Sequence, residues 1–202
     1  MGPQYAFRMP VGRPKSFDET EVLERAMDLF WECGYARLSV SELLAHMGIS
    51  RQSLYDSFGS KRGLFLRAIH HYRNTQLTAA LALLERDGPP LENVKAVMRY
   101  FEALANDRRC RGCLVANTLV ELGPHDQEIA QLLQATLDLL RAGLEGALRA
   151  AQERGDLPPN KSPRELSRAL LNSLIGLAVA GKLQLGPETY RDVYSGTLSM
   201  LD

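Results

Sequence analysis

The sequence predicts an all-α protein of about nine helices. Apolar residues recur every three or four positions along most of the chain, as they do on the buried face of a helix. They nowhere alternate with polar residues over a useful length, and β-branched residues are few. Glycines, prolines and cap-forming residues divide the periodic runs into segments of helical length.

The first predicted helix begins after Asp18, whose carboxylate can cap the first turn together with Glu21 three residues later. Helical spacing continues to Cys33, and Gly34 can take the left-handed conformation that ends a helix. The apolar positions of this helix are Val22, Ala26, Leu29 and Phe30.

The next two predicted helices are short and close together. Ser39 and Glu42 form a Ser-x-x-Glu capping box at the start of the second, and Ser50 caps the third. In the third helix Leu54 and Phe58 lie one turn apart on the same side, so the polar residues between them point the opposite way. Two helices joined by a short glycine-containing turn form the helix-turn-helix pattern.

Six further helices follow. A long one is predicted from Ser60 to about Arg86, where Gly88 and two prolines break it. The others are predicted at 91–106, 112–122 and 126–154, from a capping box at 162–165, and from 187 to 201.

Composition places the chain among ordinary globular proteins. It has 202 residues, of which 45% are hydrophobic and 24% charged, and its formal charge is zero. A chain of this length buries roughly 70% of its unfolded surface, so it needs no disulfide or metal to fold. Its three cysteines lack the spacing of a secreted scaffold, which predicts a reducing, cytoplasmic location. The most apolar run, 170–180, is interrupted by polar residues, so we expect no membrane-spanning helix.

The overall neutrality conceals two basic segments on either side of an acidic helix. Residues 1–17 contain arginine and lysine but no acid, and residues 18–42 are mainly acidic. Residues 48–72 are again basic, with Asp56 as their single acid. A solvated face explains any one of these runs, so charge alone assigns no function.

The outward face of the third helix carries residue types that meet DNA. Gln52 can pair bidentately with adenine, and Arg51 at the helix start can reach guanine or phosphate. Ser53 and Tyr55 supply hydroxyls for base edges or phosphates. We expect Asp56 either to orient Gln52, one turn earlier, or to contact a cytosine amino group.

Two further basic features accompany this face. Lys61, in the first turn of the fourth helix, adds a charge for phosphate beside backbone amides that already favour an anion. Residues 12–15, with Arg13 and Lys15, form a basic arm able to follow the DNA backbone or enter the minor groove. We therefore predict an arm over 1–15, a helix-turn-helix domain over 16–72 and a second helical domain over 73–202.

Three segments together resemble the DNA-binding domain of TetR/AcrR-type transcriptional regulators. They read GRPKSF at 12–17, AMDLFWECGY at 26–35 and GISRQSLYDSFGSKRGLF at 48–65. Leu38 stands where the family commonly has Thr or Ser, and Gly63 where it often has an acid. The resemblance implies a homodimer that binds palindromic double-stranded operator DNA and is released by a small-molecule effector held in residues 73–202. Repression is the expectation, and activation is the alternative.

The residue chemistry and this resemblance together assign candidate site residues. Those expected to contact DNA are Arg13, Lys15, Ser39, Ser41, Ser50, Arg51, Gln52, Ser53, Tyr55 and Lys61. Those expected near the effector are Met98, Phe101, Cys113, Asn117 and Leu137. Those expected at the dimer interface, on an apolar stripe of the eighth helix and on the last helix, are Leu166, Leu170, Leu174, Leu177, Tyr194 and Leu198. Packing within one chain is the alternative explanation of the stripe.

A lone Cys-x-x-Cys pair, Cys110 and Cys113, raises the question of a metal or redox site. A structural zinc needs four ligands, and the chain offers no partner at zinc spacing. Three neighbouring arginines provide the electropositive setting of reactive cysteines. Residues 111–117 also resemble a branch of the family in which some members sense oxidants or electrophiles. A thiol-sensing regulator is therefore the alternative, beside simple packing of Cys113 in a helix.

No catalytic constellation is evident. The four histidines have no recognisable nucleophile or carboxylate partner in sequence, and there is neither a Gly-rich phosphate loop nor a nucleophile elbow. We therefore expect no enzyme activity, no cofactor and no metal. An enzyme site assembled across helices and a module that binds a partner protein are the competing classes. Salt-dependent binding to one palindrome separates a regulator from both.

Overall fold

The computed structural model describes residues 17–202, which contain α-helices and no strand. The first helices are α1 (Glu19–Cys33), α2 (Val40–Met47), α3 (Arg51–Phe58) and α4 (Lys61–Tyr72). A π-helical segment, Arg73–Leu77, joins α4 directly to α5 (Thr78–Leu84). The remaining helices are α6 (Pro90–Asn106), α7 (Leu114–Leu122), α8 (Gln127–Glu153), α9 (Pro163–Lys182) and α10 (Pro187–Leu198), followed by a 3-10 turn (Ser199–Leu201).

The predicted fold class is confirmed. With α4, the π-helical segment and α5 taken as one continuous rod, residues 17–202 form nine helices. The rod corresponds to the long helix predicted to run to about Arg86, although no feature of the sequence indicated its π-helical segment. The predicted arm over 1–15, with Arg13 and Lys15, lies outside the described residues.

The predicted caps position the first helices. The Asp18 carboxylate accepts hydrogen bonds from two backbone N–H groups of the first turn of α1, whereas Glu21 pairs with Arg25 and does not complete a reciprocal box. At α2 the reciprocal Ser39–Glu42 box is complete. Serine caps also begin α3 and α4. Each cap satisfies backbone donors that the first turn of a helix leaves free.

The buried residues form two clusters, and the first one crosses the predicted domain boundary. It joins α1 to α4 around Phe30 and Phe65, whose rings meet edge to face with centroids 4.9 Å apart. Leu114 and Val115 of α7 and two residues of α8 belong to the same cluster. The helix-turn-helix is therefore packed directly onto α7 and α8.

The second cluster holds α5, α6, α8, α9 and α10 together as a bundle. Leucines of α8 and α9 supply much of its interior. No helix within residues 17–202 has the combination of length and apolar character that a bilayer crossing requires.

Candidate nucleic-acid interface and cavity

Helix α3 has one buried apolar face and one exposed polar face. Leu54 and Phe58 are buried in the first cluster, as their spacing predicted. Arg51, Gln52 and Tyr55 are exposed on the outer side, and 43% of Tyr55 is accessible. These side chains are free to meet a partner because the helix is held from behind.

The Gln52 side chain is held in place on this face. Its Nε2 donates a hydrogen bond of 2.7 Å to Asp56 Oδ1, one turn later. This confirms the first of the two roles predicted for Asp56. The bond occupies the amide nitrogen, and no other residue of 17–202 donates to the amide oxygen, so that oxygen can accept from an adenine or cytosine amino group.

The predicted serines differ in their availability. Ser39 Oγ accepts from the backbone N–H of Glu42 and donates to its carboxylate. Ser50 Oγ accepts from the backbone N–H of Ser53, and the two hydroxyls lie 2.9 Å apart. Ser41 is exposed and makes no such cap. The hydroxyls of Ser39, Ser50 and Ser53 are therefore already hydrogen-bonded at the starts of α2 and α3.

Lys61 lies in a different position from the one expected of a phosphate contact. Its Nζ donates to the backbone oxygens of Tyr35 and Leu38 at 2.6 and 2.5 Å, and it stands 4.2 Å from the centre of the Tyr35 ring. Burial lowers the pKa of Lys61, while Glu121 and Glu42 oppose that shift. The ammonium group therefore ties the loop between α1 and α2 to the start of α4.

Helix α7 holds the same loop from the other side. Glu121 accepts two backbone N–H groups, from Tyr35 at 3.0 Å and from Ala36 at 2.7 Å. Gly34 has a φ of 81°, and a Cβ there would lie 2.9 Å from Glu121 Oε2. Glycine thus satisfies both the backbone angle and the close approach of the carboxylate.

A second contact joins α1 to the loop before α7. The indole N–H of Trp31 donates to the Gly112 oxygen at 3.1 Å, and the Arg111 guanidinium stands 4.2 Å over the indole ring. Arg111 also donates to Asp28 at 2.8 Å. These contacts fasten the N-terminal end of α7 to α1, and Glu121 fastens its C-terminal end to the loop that follows α1.

Directly behind Trp31 lies a cavity of about 750 Å³, a size usual for small-molecule sites. Its walls come from α1, the rod of α4 to α5, α6, the loop 107–113, α8 and α9. Among the residues expected near an effector, Phe101, Cys113 and Leu137 line it. Met98 is instead fully buried in the second cluster, and the Asn117 amide donates to the Arg111 oxygen.

Both cysteines of the Cys-x-x-Cys pair line this cavity, and both are free thiols. The Tyr72 hydroxyl donates to Cys113 Sγ at 3.7 Å. Burial raises the pKa of Tyr72, and Cys113 contributes to that shift. No group of three or more potential metal ligands occurs within residues 17–202.

The predicted dimer surface needs a correction. Leu166, Leu170, Leu174 and Leu177 are buried in the second cluster, because this face of α9 packs against the chain's own α6 and α8. Tyr194 and Leu198 of α10 also pack partly against that cluster. The apolar side chains exposed at the end of α9 and just beyond it are Val179, Leu183 and Leu185.

Several site residues were not predicted from sequence. The residues concerned are Trp31, Tyr72, Gln76, Tyr100 and Glu121. Trp31 meets Gly112 across 81 positions, and Glu121 meets Tyr35 across 86. Helical spacing reports only neighbours three or four positions apart, so it carries no signal for such contacts.

Known families match both halves of the chain. Residues 22–68 match the family described as bacterial regulatory proteins, tetR family. Residues 90–196 match the tetracyclin repressor-like C-terminal domain.

Relatives match along nearly the whole length. The HTH-type transcriptional regulator YezE of Bacillus subtilis is 34% identical over 95% of this chain and 100% of its own. The HTH-type transcriptional repressor ComR of Escherichia coli is 28% identical over 94% of this chain and 91% of its own. Because these relatives are transcriptional regulators, the expectation that the chain is not an enzyme is confirmed.

Solved structures agree with these relatives. A cysteine mutant of the TetR-family transcriptional regulator CifR, complexed with double-strand operator DNA, superposes with a TM-score of 0.84 at 31% identity. The match covers 93% of this chain and 98% of CifR. The reduced form of Escherichia coli NemR shares the fold, with a TM-score of 0.82 at 17% identity over 92% and 98% of the two chains. This chain therefore belongs to the TetR family of bacterial transcriptional regulators.

Proposed function

We propose that the chain is a repressor that binds palindromic operator DNA as a homodimer and is released by a small molecule bound in the cavity. The proposal assigns DNA binding to residues 16–72, with an arm over 1–15, and effector binding and dimerisation to 73–202. The observation that carries it is the exposed face of α3. On this face Asp56 holds the Gln52 side chain, and the opposite, apolar face of the helix is buried. CifR, a relative with this fold, binds operator DNA.

Effector release follows from the position of the cavity. Trp31 and Glu32 of α1 form part of its wall, and α1 belongs to the DNA-binding half. A molecule that binds best when this wall is differently arranged lowers the fraction of protein in the conformation that fits DNA. By linkage, bound DNA lowers the affinity of the protein for that molecule.

Dimerisation is required for a palindromic site. Two recognition helices reach successive major grooves when a two-fold axis sets them about 34 Å apart. We assign the interface to the exposed side of α9 and to α10, where small residues such as Gly176 and Gly196 leave open space beside the backbone. Val179 and Leu183 add exposed apolar surface at one end of α9.

The experiment that tests the proposal is a selection of bound sequences from a random double-stranded DNA pool, run together with a measurement of mass in solution. A palindromic consensus bound by a dimer is the expected result. A folded dimer that enriches no sequence, even after refolding has removed any bound molecule, contradicts the proposal.

Gln52→Ala is expected to relax base preference at one position of each half-site. Loss of one base contact costs about 1–3 kcal/mol of discrimination, whereas contacts to phosphate are unaffected. Competition binding to the consensus and to its single-base variants measures the effect. Gln131→Ala, which removes an exposed glutamine on α8, is the control and should change nothing. An unchanged preference profile for Gln52→Ala would remove this residue from the reading face.

A thiol-sensing regulator is the second candidate, favoured because Cys110 and Cys113 both line the cavity. A maleimide tests it, since the thiol sulfur adds to the ring double bond and the displaced proton moves to the neighbouring carbon. We expect alkylation to release wild-type protein from DNA, and Cys113→Ser to resist release. Cys33→Ser is the matched control, because Cys33 packs against the first cluster and does not line the cavity. Release that persists in the double Cys110→Ser, Cys113→Ser variant contradicts this candidate.

A further inference from the structure

The charged side chains on the cavity lining are all at least partly exposed to solvent. They belong to Glu32, Asp107, Arg109 and Arg111. Arg111 is paired with Asp28, and the Arg109 side chain is 92% exposed beside Asp107. Glu32 is also exposed. The other lining residues carry no charged side chain, so an ionic ligand that moves past these exposed groups loses hydration without gaining an opposite charge, which is costly.

Most of the remaining lining is aromatic and aliphatic. Trp31, Tyr72, Tyr100 and Phe101 contribute rings, and leucines of the π-helical segment, α6, α8 and α9 are among the aliphatic residues. The Trp31 and Tyr72 rings meet edge to face with centroids 5.0 Å apart, and those of Tyr100 and Phe101 do so at 5.3 Å. A largely apolar molecule gains free energy by leaving water for such a surface.

Among the uncharged lining side chains that carry an oxygen or nitrogen, two have no hydrogen-bond partner within the described residues. One is Tyr100, whose pKa burial raises, so that its hydroxyl stays protonated and can donate. The other is Gln76, which can donate and accept. Gln76 lies in the π-helical segment, and single π-helical turns inside α-helices are frequent at functional sites. These two groups can orient one uncharged polar group of a ligand.

Part of the cavity wall is supplied by α1, which belongs to the DNA-binding half of the chain. Trp31 is the only tryptophan in the sequence, and it lies both on the cavity and against the Gly112 oxygen. A ligand in the cavity therefore touches α1 directly, with no intervening layer of side chains.

From these observations we infer that the cavity takes an uncharged, largely apolar aromatic molecule with one hydrogen-bonding group, bound against Trp31. This inference rests on the proposed function, because it names the effector class for the same cavity. Aromatic character follows from the four rings, and neutrality follows because no charged side chain lines the cavity apart from those four exposed groups.

Two dyes of matched shape test the inference. Phenylnaphthylamine is uncharged at neutral pH, and anilinonaphthalene sulfonate carries the same rings with one added anionic group. Tryptophan emission overlaps the absorption of both dyes, so energy transfer from Trp31 reports binding beside it. We expect saturable binding of phenylnaphthylamine with energy transfer, and binding of the sulfonate weaker by about ten-fold or more.

A single substitution should change this preference. Gln76→Lys places a cation on the lining, and its flexible side chain can be accommodated in the open cavity. We expect the sulfonate to bind this variant more tightly than it binds wild type, and phenylnaphthylamine to bind it more weakly. Thermal melting of both proteins establishes that the variant is folded.

Two results would overturn the inference. One is equal or tighter binding of the sulfonate by wild type, and the other is dye binding without energy transfer from Trp31, which places the dye elsewhere. The dye measurements use protein without DNA, so their failure is separate from failure of the DNA selection. Full DNA binding with no dye preference would leave the proposed function intact and reject the ligand class.

Discussion

Gly181→Ala is expected to lower the free energy of unfolding by about 2 to 3 kcal/mol. Gly181 is buried on α9 where that helix crosses the end of α6. A Cβ at this position would lie 2.8 Å from the Cα of Ala105 and 3.0 Å from its oxygen, and 2.7 Å from Cys110 Sγ. Backbone atoms cannot turn aside as a flexible side chain can, so the two helices must separate.

Gly146→Ala is the matched control for this effect. Gly146 is exposed in the middle of α8, and nothing lies within 4 Å of a Cβ built there. Alanine should therefore stabilise the protein by up to about 1 kcal/mol through helix propensity alone. Denaturant unfolding of the three proteins measures both effects. A Gly181→Ala variant as stable as wild type would show that α6 and α9 are less tightly apposed than the structure indicates.

Gly181→Ala should also weaken dye binding, because the place where α6 and α9 cross forms part of the cavity wall. Ala105 and Cys110 both line the cavity. Separation of α6 from α9 displaces these residues, whereas Gly146→Ala leaves them in place. The predicted order of dye affinity is therefore wild type equal to Gly146→Ala, and both above Gly181→Ala.

Local features of this fold could be predicted from the sequence because they depend on near neighbours. The serine caps of α2 and α3 join residues three positions apart, and the Gln52 to Asp56 bond spans four. Helical periodicity likewise identified Leu54 and Phe58 as buried. Each of these depends only on the geometry of one helix and its first turn.

Periodicity does not reveal what a buried face packs against. The stripe of leucines at 166, 170, 174 and 177 is apolar with helical spacing, which packing within one chain explains, whereas the family resemblance implies a surface between two copies. It packs inside the bundle of one chain. A helix in a core and a helix at an interface bury the same kind of stripe, so only the positions of the other helices separate the two. The same limit applies to Met98, whose neighbours lie in the core and not in the cavity.

Glu121→Ala is expected to destabilise the protein by about 2 kcal/mol and to weaken operator binding by about ten-fold. The substitution removes both acceptors of the Tyr35 and Ala36 backbone N–H groups. These groups lie in the loop that leads into α2, so its release changes how α2 and α3 are held for DNA. Hydrogen bonds to a charged acceptor are stronger than those between neutral groups.

Two further variants test this expectation: Glu121→Gln should have an intermediate effect, and Glu153→Ala is the control. The amide of glutamine keeps one acceptor oxygen, so its effects on stability and on operator binding should lie between those of wild type and alanine. Glu153, exposed at the end of α8, should tolerate alanine without effect. Unfolding and operator titrations on all four proteins provide the comparison. If Glu121→Ala lost stability but kept full operator affinity, the loop would not position the recognition helix.

The Lys61→Met variant tests whether Lys61 supports this loop or contacts phosphate directly. If its ammonium bound a phosphate in the complex, Lys61→Met would reduce the slope of log affinity against log salt by about 0.9. The structure instead places the ammonium between the Tyr35 and Leu38 oxygens, opposite Glu121 across the same loop. We therefore expect Lys61→Met to lose about 1 kcal/mol of stability and to leave the salt slope unchanged. Because α2 and α3 follow this loop, Lys61 then contributes to recognition by holding the domain together.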